Sequence, residues 1–193
     1  MIAHINGRLV EKSPTYVVID CGGVGYKLNI SLNTYSKLGE GESCKLFTEF
    51  IVREDAQLLY GFKDVSERRL FQLLISVSGI GPATALLVLS SADAEEIQQA
   101  ILSGNAGWFK GVKGIGPKSA QRIIIDLKDK ISKENISSDN SIGLDNTLKE
   151  ESLSALVNLG FNKNLAEKMI QKIMMANPNA AVEDVIKQAL KGL

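Results

Sequence analysis

The sequence predicts a multidomain α+β protein, and three observations predict it. Residues 1–62 alternate apolar and polar residues between turn signals, the pattern of short β-strands. From Ser66 onward the apolar residues recur at helical spacing. A polar segment at 132–147 then separates off a second helical region at 148–193. The predicted order is therefore strands, helices, linker and helices.

Residues 1–62 contain five candidate strands, separated by turns with Gly, Pro and acidic residues: Ile2–Leu9, Tyr16–Cys21, Gly25–Ile30, Lys45–Val52 and Gln57–Phe62. Five short strands in about sixty residues favour a small closed barrel of the OB type. Glu54 and Asp55 fall between the last two strands, where acidic residues are ordinary turn chemistry. At a DNA surface, however, paired carboxylates would repel phosphates and exclude strands from that place.

The tetrapeptide Gly-Ile-Gly-Pro occurs twice, at Gly79–Pro82 and at Gly114–Pro117, and each copy precedes a run with helical periodicity. Glycine adopts conformations closed to other residues and holds no side chain against a ligand. Proline suits the first turn of a helix. Each copy therefore predicts a hairpin that leads into a helix N-terminus, where free N–H groups bind anions. A repeated anion site indicates the phosphates of a nucleic acid, contacted without regard to base sequence.

The helix after the second turn carries Lys118 and Arg122 four residues apart, on one face that can reach a phosphate and its neighbour. The matching residues after the first turn are Ala83 and Leu87, so that turn depends on its backbone and on Thr84. The predicted DNA-binding residues are Gly79, Ile80, Gly81, Thr84, Gly114, Ile115, Gly116, Lys118, Ser119 and Arg122.

Two other interpretations of the turns stay open. A nucleotide-binding P-loop needs Gly-x4-Gly-Lys-Ser/Thr, and Pro117 stands where its lysine should be. Both turns could instead be plain helix connectors, although a connector needs no particular tetrapeptide. The near-identical repeat therefore favours DNA binding.

Charge and composition narrow the function classes. The 193-residue chain has zero net charge, but residues 63–133 carry +3 while the segments before and after carry −1 and −2. The positive excess falls on the two turns, and it is modest, so binding must also use backbone donors and multivalency. No apolar run approaches a membrane span and no signal peptide is present, so we expect a cytoplasmic protein.

The residue types needed for metal binding or catalysis are scarce. Cys21 and Cys44 lack CxxC spacing and His4 is the single histidine, so neither a zinc site nor any cofactor is expected. The chain offers no Ser-His-Asp set and no carboxylate cluster of the two-metal nuclease kind. We therefore expect a non-enzymatic protein. The alternative is a helix-hairpin-helix DNA repair enzyme or nuclease subunit, which would need a catalytic Lys or Asp in a pocket.

The segment at 132–147 is rich in Ser and Asn and predicts a flexible linker. Beyond it, three short amphipathic helices form a domain of about 45 residues, near the lower limit for independent folding: Leu148–Leu159, Lys163–Ala176 and Ala181–Leu190. Leu159-Gly160-Phe161 resembles ubiquitin-associated (UBA) domains, which leaves a pure interaction protein as a second alternative. The simpler interpretation is a helix-ending glycine with Phe161 in the core.

Longer motifs resemble a known family. The run Arg53–Phe62 (REDAQLLYGF), followed by Glu67-Arg68 and Leu70-Phe71, is similar to the RuvA family, the Holliday-junction-binding subunits of bacterial branch migration complexes. The paired Gly-Ile-Gly turns, Lys128-Asp129-Lys130 and the domain order share this resemblance, which covers nearly the whole chain. Ala83 departs from it, because family members often carry lysine there.

The resemblance implies a homotetramer, or two face to face, that cradles an open four-way DNA junction in recombination and repair. Glu54 and Asp55 of each subunit would form an acidic pin at the crossover. The C-terminal domain, UBA-like in its three helices, would dock the hexameric RuvB ATPase, with Met169, Ile173 and Met174 as candidates, and the RuvC resolvase is a further expected partner. The expected domains are a barrel at 1–62, tandem hairpins at 63–131, a linker at 132–147 and a docking domain at 148–193.

Overall fold

The computed structural model describes residues 2–39, 41, 43–139, 144–177 and 180–192. Within that part the chain forms a closed five-stranded barrel followed by helices, which confirms the predicted α+β class. Two compact units divide the chain, one at 1–133 and the other at 134–193. None of the described helices combines the length and apolar character that crossing a membrane would require.

The barrel confirms the five predicted strands, which we number β1 (His4–Lys12), β2 (Tyr16–Cys21), β3 (Val24–Ile30), β4 (Ser43–Val52) and β5 (Gln57–Phe62). They close in the order β1-β2-β3-β5-β4, with antiparallel pairing except between β3 and β5. A Cβ at Gly61 would lie 2.9 Å from Leu28 Cδ2 and 3.0 Å from Leu46 Cδ1. A larger residue at position 61 would therefore have to displace the side chains of Leu28 and Leu46 in the barrel core.

A short helix, α1 (Leu32–Lys37), connects β3 to β4 and was not predicted from the sequence. Ser31 caps its N-terminus by accepting a hydrogen bond from the N–H of Thr34. Six residues do not form a stable helix in isolation, so α1 depends on its tertiary contacts.

The helical part of the first unit packs directly on the barrel. Its elements are α2 (Val65–Ile75), α3 (Pro82–Ser91), α4 (Ala94–Leu102), α5 (Ala106–Lys110) and the part of α6 (Pro117–Asp139) up to Lys133. The ring of Phe71 on α2 lies with its centroid 4.9 Å from that of Phe62 and 5.0 Å from that of Tyr60, both on β5. Strand and helices therefore share one apolar core.

The helix after the second turn is longer than predicted. The sequence indicated an end near Ile131, whereas α6 continues to Asp139. No glycine or proline follows Pro117 before Gly143, and polarity alone does not stop a helix. Helical backbone therefore covers 132–139 and, with α7, 144–147 of the segment predicted as a linker. Residues 140–143 lie outside the described part, and the flexibility of the segment stays a prediction.

The second unit has its own small core. Its helices are α7 (Leu144–Asn158), α8 (Lys163–Ala176) and α9 (Val182–Gly192). Gly160 ends α7 with φ +94°, and the N–H of Phe161 donates to the carbonyl of Leu156. This is the bonding pattern of a left-handed helix cap, and Phe161 packs against the core as the simpler interpretation predicted.

Candidate nucleic-acid interface

The two Gly-Ile-Gly-Pro turns have nearly the same backbone conformation. Gly79 and Gly114 have φ of +90° and +91°, a conformation that side-chain-bearing residues rarely adopt. In each turn the isoleucine N–H donates to the carbonyl of a valine three residues earlier, at 3.0 Å for Ile80 and 3.1 Å for Ile115. The repeated sequence therefore produces a repeated structure.

The second glycine of each turn borders open space. A Cβ at Gly81 or at Gly116 would meet no atom within 4 Å, and neither residue has positive φ. The fold thus requires glycine only at the first position of the tetrapeptide. At the second position the missing side chain leaves an approach to the backbone N–H groups at the start of α3 and α6, which have no partners inside the helix.

The isoleucines anchor the turns rather than face outward. Ile80 is 4% and Ile115 is 6% exposed, and both belong to the apolar core of the unit. They were predicted as DNA-binding residues, but their side chains are buried and their N–H groups donate to the valine carbonyls within the turns.

The two turns lie close together. A Cβ at Gly114 would be 4.0 Å from the hydroxyl oxygen of Thr84, which stands in the first turn of α3. Thr84 is half-buried. Its hydroxyl lies beside the second hairpin as well as the first. The N-terminal ends of α3 and α6 consequently lie side by side and form one composite surface.

Of the two helices that follow the turns, α6 carries cationic side chains and α3 carries none. Lys118 and Arg122 on α6 are exposed and Ser119 is half-buried. The matching residues on α3, Ala83 and Leu87, line an apolar groove of about 420 Å³ between α3 and the barrel. The helix after the second turn thus combines N–H groups with charge, and the helix after the first has N–H groups without it. A cation does reach the first hairpin from α6, because the ammonium of Lys130 donates to the hydroxyl of Ser76 at the end of α2, at 3.4 Å.

The predicted pin occupies the tip of the β4–β5 hairpin. Glu54 and Asp55 are both exposed, and the turn is closed by the Arg53 N–H donating to the carbonyl of Ala56 at 2.8 Å. Val52 at the base of the tip is 61% exposed. The tip therefore presents its carboxylates to solvent on a short, hydrogen-bonded turn.

The three residues predicted for motor docking belong mainly to the core of the second unit. Ile173 is 8% exposed, and Met169 and Met174 are partly buried against the same core. The exposed large apolar residues of this unit are instead Val157, Leu159, Leu165, Met175 and Leu190. Helical spacing alone did not distinguish them, because the unit is so small that both faces of α8 carry apolar residues.

The described residues hold no group of three or more His, Cys, Asp or Glu side chains arranged for a metal ion. Cys21 and Cys44 are both free, on β2 and β4, which pair with opposite edges of β1. Burial raises the pKa of the Cys44 thiol.

One charged group that the sequence did not single out as functional is buried between barrel and helices. Glu67 on α2 is 3% exposed and accepts hydrogen bonds from the hydroxyls of Ser31 and Thr34. Burial raises the pKa of this carboxyl, while the two hydrogen bonds act in the opposite direction. Nothing local in the sequence shows which barrel residues a glutamate on α2 will meet.

Comparisons with known proteins agree with this architecture. Family models match at residues 1–61 (RuvA N terminal domain), 71–129 (SAM-like Helix-hairpin-helix tandem) and 147–193 (RuvA, C-terminal domain). They confirm the tandem of hairpins predicted from the repeated tetrapeptide.

Full-length relatives carry one common name, Holliday junction branch migration complex subunit RuvA. The relative from Flavobacterium psychrophilum is 55% identical over 193 residues, and that from Christiangramia forsetii is 49% identical over 193 residues. One from Bacteroides fragilis is 47% identical over 202 residues. In all three cases the match covers 100% of this chain and 100% of the relative. This chain, with its barrel, its paired hairpins and its C-terminal three-helix unit, belongs to the RuvA family.

Proposed function

We propose that this protein binds four-way DNA junctions as a homotetramer, without regard to base sequence, and recruits the RuvB ATPase for branch migration. The observation that carries the proposal is the composite surface of two near-identical hairpins, each with an open approach to helix N–H groups. Such N–H groups bind phosphates and carry no information about bases. The names of the full-length relatives support the choice of junction as the DNA structure.

Fourfold assembly explains how a chain of zero net charge can hold DNA. Each subunit contributes one weak contact with DNA. Four linked contacts give a much higher affinity than one when the geometry lets all of them form at the same time. We propose that each pair of hairpins holds one duplex arm. The exposed carboxylates of Glu54 and Asp55 then repel phosphates at the centre, where the strands separate.

The first experiment compares binding to a four-way junction with binding to linear duplex of the same length, by gel shift over a range of salt concentrations. We expect a strong preference for the junction and a fall in affinity with salt. The mass of the free protein and of the complex, from light scattering, tests for one tetramer or two. Equal affinity for both DNAs would refute the proposed function, and cleavage of either DNA would point to the enzymatic alternative.

The second unit is proposed to dock the motor. α7 ends and α8 begins near Leu159 and Leu165, which are 60% and 52% exposed. The end of α9 lies against α8, because a Cβ at Gly192 would be 3.0 Å from Met169 Cε. Leu190 precedes Gly192 by two residues, and we propose that it borders the same surface as Leu159 and Leu165. We propose these three leucines as the docking surface, in preference to the largely buried Met169, Ile173 and Met174.

A truncated protein tests whether the first unit binds DNA and the second docks the motor. The cut is best made after Lys133, because Ile131 is 1% exposed in the core of the first unit and a cut at Lys130 would remove it. The truncated protein should bind junctions but fail to stimulate the RuvB ATPase. In the full chain, Leu159→Ser with Leu165→Ser should reproduce that failure, and the exposed Met175→Ser is the matched control. Normal stimulation by the truncated protein would place the motor contact elsewhere. The RuvC resolvase stays a predicted partner, tested by its activity on the bound junction.

A further inference from the structure

The helix α1, between β3 and β4, makes polar contacts with both helices that flank the first hairpin. The amide of Asn33 donates one hydrogen bond to the carbonyl of Leu89, at 2.6 Å, and another to the carbonyl of Ala92. The N–H of Leu32 donates to the hydroxyl of Ser90 at 3.1 Å. The last carbonyls of a helix have no partner inside it, so these bonds cap α3 from the barrel side.

The same helix, α1, also forms hydrogen bonds and an ion pair with the start of α2. The hydroxyls of Ser31 and Thr34 both donate to the carboxylate of Glu67, Thr34 at 2.7 Å. Lys37 forms an ion pair with Asp64, the N-cap residue of α2, at 2.6 Å. The first turn of α2 and the last turn of α3 therefore meet at α1, at the end of this helix pair opposite the Gly79–Pro82 turn.

The buried part of this network is directional. Ser31 accepts from the N–H of Thr34, and Thr34 accepts from the N–H of Lys63, so each hydroxyl has its proton available for Glu67. An ionised carboxylate, which has two acceptor oxygens and no proton, can accept from both hydroxyls at once. These hydrogen bonds connect the start of α2 to α1 through the side chains of Ser31, Thr34 and Glu67.

A rigid helix converts a small rotation at one end into a displacement at the other. α3 has 10 residues, so it is roughly 15 Å long. A rotation of about 10° at its capped end would therefore move the first hairpin by roughly 2–3 Å. A displacement of that size can prevent the hairpins of several subunits from contacting one DNA molecule at the same time.

We propose that α1 is a clamp that fixes the first hairpin relative to the barrel, with Asn33 as its positioning residue. The clamp sets the spacing between the acidic tip at Glu54-Asp55 and the hairpins, so that both meet the arms of one junction. The clamp thus raises the ratio of junction affinity to duplex affinity, and it leaves the phosphate contacts of each single hairpin unchanged. This inference rests on the proposed function.

The test uses the full chain with Asn33→Ala and with Asn33→Asp. The aspartate keeps the shape of asparagine but has no proton to donate to the two carbonyls. Ser36→Ala is the matched control, because Ser36 is exposed on α1 and its hydroxyl bonds only within that helix, to the carbonyl of Asn33. Ser90→Ala is a milder variant that removes the acceptor of the Leu32 N–H.

Two measurements are made on each variant. The first is the ratio of affinities for four-way junction and linear duplex. The second is a pulsed-EPR distance between spin labels at Val24→Cys on the barrel and Ser78→Cys at the first turn, without DNA. The substitutions Cys21→Ser and Cys44→Ala remove the native thiols. Labelled protein is assembled with an excess of unlabelled protein, so that an assembly holds one labelled subunit and the measured distance lies within it.

Both Asn33 variants should broaden the distance distribution and reduce the junction-to-duplex ratio by about tenfold or more. Duplex affinity should stay within about threefold, and Ser36→Ala should behave as the parent protein. Ser90→Ala should shift both readouts in the same direction by less, and it decides the question if the Asn33 variants do not fold. Unchanged distance and ratio in folded variants would overturn the clamp, as would equal losses for junction and duplex. A parent protein without junction preference would instead overturn the proposed function.

Discussion

The two hairpins have the same backbone and different chemistry. Their first glycines have φ of +90° and +91°, and their isoleucines are 4% and 6% exposed in the core. Yet exposed Lys118 and Arg122 follow the second turn, while Ala83 and Leu87 follow the first and line an apolar groove. The conformation that offers N–H groups therefore does not depend on the charge beside it.

In the proposed function, this difference separates two contributions to phosphate binding. The first turn leads into a helix that offers N–H groups alone, and the second leads into a helix that offers N–H groups and cations. A single subunit thus contains an internal control, and variants at matched positions can measure each contribution. The four predictions that follow run from the largest expected effect on affinity to the smallest.

Gly116→Val should abolish most junction binding, by roughly 100-fold or more, because the side chain blocks the approach to the N–H groups in every subunit. A Cβ at Gly116 meets no atom within 4 Å and its φ is not positive, so this substitution should destabilise the fold less than one at Gly114. Gly114→Val should instead destabilise the protein by about 1–2 kcal/mol, because its φ is positive. Fluorescence anisotropy and thermal melting distinguish the two outcomes.

Gly41→Val, between α1 and β4, is the control for Gly116→Val, because a Cβ there also meets open space. Full affinity in a folded Gly116→Val protein would reduce the repeated turn to a connector between helices.

Lys118→Ala should weaken binding by about 1–2 kcal/mol, the value of a charge-assisted hydrogen bond at a partly solvated site. The slope of log affinity against log salt should become shallower by roughly one unit for each phosphate that the lysine no longer neutralises. Lys187→Ala, which removes an exposed lysine from the second unit, controls for net charge. Equal effects of the two substitutions would mean that Lys118 acts through the overall field and not at a phosphate.

Ala83→Lys should strengthen binding by about threefold, since it gives the first hairpin the cation that the second already has. Ala83 is exposed, so the longer side chain has solvent to enter. Titration at several salt concentrations should show a steeper slope. If affinity and slope stay the same, the first hairpin does not contact a phosphate, and the two turns are alike only in their backbone.

Glu54→Gln with Asp55→Asn tests whether the hairpins alone produce the junction preference. Removing two charges that repel phosphates should leave junction affinity the same or raise it by less than about threefold, while duplex affinity rises more. Competition between junction and duplex measures the ratio, with Glu183→Gln and Asp184→Asn as a control of equal charge. An outright loss of junction affinity would show that the carboxylates hold the structure or bind DNA through a bridging cation.

The strands and the hairpins were predictable because their signals are local. Alternation between turn residues identifies β1 to β5, and the tetrapeptide itself determines the turn and the start of the following helix. Local sequence could not show that the first glycine of each turn is needed for its positive φ, whereas the second leaves open space in front of the helix N–H groups. That distinction depends on φ and on the empty space around Gly116.

The helix α1 and the true length of α6 could not be read from the sequence. α1 has six residues without apolar periodicity, and its contacts are with Glu67, Ser90 and the end of α3, far along the chain. Its formation depends on tertiary contacts that no local pattern reveals. For α6, a polar composition indicated a linker, although the absence of glycine and proline permits a helix.

The contacts of Phe71 with Tyr60 and Phe62 also bear on how the protein unfolds. A barrel and a helical domain are often separate cooperative units, but here the last strand and the first helix bury the same aromatic cluster. Neither part can lose its structure without exposing the core of the other. Residues 1–133 should therefore melt in a single calorimetric transition, and Phe71→Leu should lower that transition temperature for barrel and hairpins alike.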